Sequence, residues 1–70
     1  MDENLEQAKA LMRVVIDESE TVVKYTEILQ ALTDENAKAQ LREIISDELN
    51  HIERATLEYA RLSGIGIAEE

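Results

Sequence analysis

Glu18, Glu48 and His51 are the side chains whose types and spacing could do chemistry. Two carboxylates and an imidazole are donors for a divalent metal ion. Glu48 and His51 are three residues apart, so on a helix they point to one side, a turn from each other. Both glutamates interrupt apolar stripes of 4-3 spacing. One stripe is Leu11, Val15, Glu18, Val22, Tyr25, Leu29 and Leu32. The other is Ala37, Leu41, Ile44 or Ile45, Glu48, His51 or Ile52, Ala55, Tyr59 and Leu62. A carboxylate left uncompensated in such a seam is costly. It must be protonated, paired with a cation or bound to metal. Neither stripe contains Lys or Arg, and His51 is the only imidazole in the chain.

The elements that must position these three are helices. The 70-residue chain has no Pro, and its two glycines are Gly64 and Gly66. Nothing therefore breaks a helix before Ser63. Asn4 and Gln7 have the spacing of a capping box, which predicts helix 1 over about 5–32. Thr33-Asp34-Glu35-Asn36 is the mid-chain punctuation, with Thr33 or Asp34 as cap of helix 2. Helix 2 is predicted over about 35–63, closed by Gly64 as the left-handed C′ residue and Ile65 as its hydrophobic contact, with a short tail over 64–70. The turn is short, so the helices pack antiparallel. The chain is one all-α domain, residues 1–70.

The register brings the ligands to one height. Glu18 is 14 residues before Leu32 and Glu48 is 13 after Glu35, which places both about 20 Å from the turn. A second apolar set, Ile16, Val23, Ile28, Leu49 and Leu57, is more than one hairpin can cover. At least two hairpins should associate, most simply as a homodimeric four-helix bundle. Dimerisation doubles the donors to four Glu and two His, the ligand set of di-iron carboxylate bundles. Iron or manganese suits these donors, and zinc is compatible. Tyr25, two turns after Glu18, either packs in the core or hydrogen-bonds a ligand carboxylate. Asp17 and Glu20 flank Glu18 as solvated charge or as a metal-entry site. The alternative is an oligomerisation module without catalysis. It would be metal-stabilised, or metal-free with its glutamates paired to Lys or Arg outside the stripes.

Glu18 with Tyr25 seven residues on, followed by Asp47-Glu48-Leu49-Asn50-His51, resembles the ferritin and rubrerythrin superfamily. Spanning only half a bundle, the chain is most similar to the encapsulated ferritins, single hairpins whose di-iron site forms between two subunits. The resemblance implies a ferritin-like fold and a ferroxidase that oxidises Fe(II) for iron storage or detoxification. Glu18, Glu48 and His51 would be the iron ligands, Tyr25 would tune one of them, and Asp17 and Glu20 would form the entry site. It also implies a higher homo-oligomer housed in an encapsulin shell. The tail Gly64-Ile65-Gly66-Ile67 is similar to a shell-targeting segment, but Ala68-Glu69-Glu70 follows it in place of the basic or Ser-Leu element.

Composition narrows the alternatives. The net charge of −9 opposes binding to nucleic-acid phosphates and favours cations. The chain has no Cys, which excludes disulfides and thiolate sites and argues against a rubrerythrin-type peroxidase with its rubredoxin iron. No apolar run approaches a membrane span and no signal-peptide pattern opens the chain, so the expected location is the cytoplasm, inside a shell if one exists.

Overall fold

A computed structural model of the chain describes residues 3–64. Two helices account for nearly all of them: α1, Glu3–Ala31, and α2, Glu35–Ser63. They pack as an antiparallel hairpin. The turn is as short as the spacing predicts. The Leu32 N–H donates to Leu29 O at 3.2 Å and tightens the end of α1. Asp34 then caps α2: its backbone is extended (φ −77°, ψ 124°), and its carboxylate accepts from the Ala37 N–H at 2.8 Å. Thr33 is therefore not the cap. At the far end Gly64 adopts φ 77°, and its N–H bonds back to Ala60 O and Arg61 O. This left-handed conformation carries a steric penalty for any residue with a Cβ. Ile65, its expected contact, and the tail to Glu70 lie outside the described residues.

One expected boundary is corrected. α1 already includes Glu3, so Asn4 is inside the first turn and is not a cap. No Gly or Pro stops the helix from running upstream of Asn4. Glu3 and Glu6 in the first turn complement the positive end of the helix dipole.

The seam follows the predicted stripes and settles their two ambiguities. Ile45 and Ile52 face α1, whereas Ile44 and His51 lie beside the seam and are exposed. The hairpin buries little. Among the described residues only Ala8, Ala55 and Ala60 are buried. Even Val15, Val22, Ile45 and Ile52 retain intermediate exposure. The shortest extent of the molecule is 12 Å, about one helix diameter. A single layer of helices has no interior. Eight large apolar side chains stay exposed, among them Ile16, Val23, Ile28, Ile44 and Leu49 at 45–60%.

Candidate metal centre

Glu18 sits midway along α1 and Glu48 midway along α2, at matching distances from the turn. Their seam positions make the two carboxylates face each other across the hairpin. His51, one turn after Glu48, leans in from the flank of α2. Its Nδ1 is 3.8 Å from Glu18 Oε1 and 3.8 Å from Glu48 Oε1. Glu18, Glu48 and His51 each offer a donor atom within 4.8 Å of the others. Among the described residues, no other group of three or more carboxylates, imidazoles or thiols converges in this way.

These separations are too long for hydrogen bonds. They are close to the spacing of donors that share an ion, each about 2.0–2.2 Å from it. The glutamates are largely withdrawn from solvent, with side chains 28% (Glu18) and 21% (Glu48) exposed, while His51 is 51% exposed. The site is thus closed toward the seam and open on the His51 side.

Glu18 Oε1 is the informative atom. It is buried and has no hydrogen-bond partner. A buried carboxylate oxygen without a donor costs free energy that the hairpin alone does not return. The cations do not relieve it. All seven Lys and Arg lie within residues 3–64. The pairs they form are Lys9–Glu6, Lys38–Glu35 and Arg61–Glu58, each within a single helix at i,i+3. The Arg61 guanidinium holds the Glu58 carboxyl below its ordinary pKa, at the surface and away from the three donors. Among the described residues, none pairs Lys or Arg with Glu18 or Glu48. The expectation that stripe-external cations satisfy the two glutamates is not met in the hairpin. Two carboxylates and one imidazole, with an oxygen left unpartnered, fit a hard or borderline divalent cation.

The remaining predicted residues fall outside this cluster. Tyr25 is half-buried on the seam, and no hydrogen bond links it to either glutamate among the described residues. Asp17 and Glu20 are exposed on α1 and are not among the converging donors. The Asp17 backbone carbonyl accepts from the Thr21 hydroxyl at 3.1 Å, so that hydroxyl is committed to the helix rather than to the site. Three donors do not complete a metal's coordination, which takes four to six ligands, and the open flank at His51 is where others must enter. The chain matches no protein-family model, no curated protein and no solved structure.

Proposed function

We propose that this chain is a ferritin-like di-iron protein that oxidises Fe(II) to Fe(III), with the site shared between two copies. The observation that carries the reading is the unpartnered, buried Glu18 Oε1 converging with Glu48 and His51. Fe(II) is the substrate: each ion gives up one electron to dioxygen or peroxide, and iron itself supplies the redox chemistry. The chain's residues bind and orient it. Glu18 and Glu48 provide anionic oxygens that offset the ion's charge, and neutral His51 provides a nitrogen. A second copy with the same three residues brings the set to four Glu and two His. Val15, Val22, Ile45 and Ile52, one turn above and below, flank the carboxylates with apolar surface along the seam. Iron storage or detoxification follows as the role, with an encapsulin shell as the compartment, because two helices over residues 3–64 form a single layer too thin to enclose stored iron. Manganese or zinc would occupy the same donors.

The test is anaerobic Fe(II) addition followed by oxygen. About one iron per chain and the absorbance of oxidised iron are expected, and Glu48→Ala should lose both while keeping its helicity. Wild-type oxidation rates in that variant would overturn the assignment. Binding without oxidation would instead favour a metal-stabilised oligomerisation module.

A further inference from the structure

An imidazole that binds a metal has a second nitrogen to satisfy. In His51 the nitrogen that meets the glutamates is Nδ1, 3.8 Å from Glu18 Oε1 and 3.8 Å from Glu48 Oε1. A neutral His51 that ligates through Nδ1 carries its proton on Nε2. Metal-bound imidazoles donate that other N–H to a carboxylate, a carbonyl or water, and the bond fixes the ring and raises its basicity. Among the described residues, no side-chain hydrogen bond involves His51.

The flank on which His51 stands carries an acceptor. Asp47, His51 and Arg54 are spaced by four and three residues, so they form one stripe along α2, beside the seam. All three are exposed. Among the described residues, neither Asp47 nor Arg54 joins an ion pair. Glu58, the next acid along the flank, is already held by Arg61 at 2.7 Å. We propose that Asp47 of the partner subunit accepts the Nε2–H of His51, with Arg54 as its counter-ion, so that each copy orients the other's ligand. This rests on the shared metal site argued above.

Symmetry and charge carry the argument. A two-fold axis that relates two copies passes through the site they share. On α2 that site lies between the levels of Glu48 and His51. An axis crossing the helices there inverts heights and sets α2 against α2 of the partner. It brings Asp47 of one copy level with Ile52 of the other, between His51 and Arg54 on the stripe. Asp47 and His51 are then within about 1.5 Å of each other in height. The acid meets one N–H donor and one cation, and the contact occurs twice. An axis parallel to the helices keeps heights and sets α1 of the partner against α2. It brings Asp17 level with Leu49, between Asp47 and His51. The crosswise axis makes one acid–acid approach per dimer, Asp17 with its symmetry mate. The parallel axis makes two, Asp17 with Asp47, and leaves Arg54 without an acid. Charge selects the crosswise axis, and with it Asp47.

The experiment uses the full chain loaded with Zn(II), which has no redox chemistry. His51 is the sole imidazole, so NMR follows its ring nitrogens and N–H proton without ambiguity. In the wild type, Nδ1 is expected to be the metal-bound nitrogen and Nε2–H to exchange slowly with water. Asp47→Ala should lose the slow exchange and weaken Zn(II) binding about 10- to 100-fold in a competition titration. Asp47→Asn, which keeps an acceptor oxygen, should fall between the two. Asp47 is exposed, so helicity by circular dichroism should hold; were Asp47→Ala to unfold, the wild-type exchange rate would decide on its own. A wild-type Nε2–H that exchanges freely, or Asp47→Ala with wild-type Zn(II) affinity, would overturn the proposal. So would loss of the Nε2–H signal in Asp17→Ala but not in Asp47→Ala, which would select the parallel axis. A wild type that binds no Zn(II) would be a different failure, that of the metal site itself, and would overturn both.

Discussion

Glu18 is placed where a folded hairpin gains nothing from it. Its Oε1 is buried with no donor, on a stripe that is otherwise apolar apart from Thr21 at its edge. Removing an unsatisfied buried polar group and replacing it with an apolar one of similar size is neutral to stabilising. Glu18→Leu should therefore raise the stability of the metal-free protein by about 1 kcal/mol. For a chain of this size that is a rise of about 4–8 °C in melting temperature. The same substitution should abolish any rise in melting temperature on adding Fe(II) or Zn(II). Thermal unfolding in chelator and in metal reads both effects. A drop in the metal-free melting temperature would mean that Glu18 is satisfied in solution by something other than metal. Glu18 and Glu48 were legible in the sequence because a charge on an apolar stripe is conspicuous. The side on which His51 lies was not. A 4-3 stripe leaves His51 and Ile52 equally well spaced, and only packing against α1 decides that Ile52 faces inward.

At the scale of elements, the two helices are set by their ends more than by their cores. The hairpin has no buried side chain larger than alanine among its described residues, so local terms carry unusual weight. Asp34 satisfies an otherwise orphaned N–H at the start of α2, and Asp34→Ala should cost about 1 kcal/mol. Gly64→Ala forces a Cβ into φ 77° and should cost a similar amount. Both sites are far from the donors, so metal per chain should not change. A loss of metal in Asp34→Ala would show that the turn, rather than the seam, sets the register of Glu18 against Glu48. These two ends were readable because Thr33-Asp34 and Gly64 are punctuation in a chain with no Pro, although the sequence left Thr33 and Asp34 equally good as the cap and only the structure decides for Asp34. The start of α1 was not, since Asn4 has a cap's chemistry but nothing upstream stops the helix from including it. Ile44 and Ile45 posed the same ambiguity as His51 and Ile52, with Ile45 packing inward.

At the scale of the whole molecule, the described hairpin leaves eight large apolar side chains exposed. One layer of two helices, 12 Å through its shortest extent, buries little of the apolar surface that offsets the entropy of ordering the chain. Neither the identity nor the geometry of what covers it is legible in one sequence, because an exposed Ile reads the same whether another copy or water meets it. Folding and association should then be one equilibrium, and the melting temperature should depend on protein concentration. Over a hundred-fold dilution in chelator, the melting temperature is expected to fall by several degrees, with mass and helicity lost together. Metal adds a second linkage. At 100 times its dissociation constant, a ligand that binds only the folded assembly contributes about 2.7 kcal/mol. Saturating metal should therefore shift the whole dilution curve upward without removing its slope. A melting temperature independent of concentration in chelator would mean that the hairpin folds alone, with Ile16, Val23, Ile28 and Ile44 facing water. Association would then serve the metal site and not the fold.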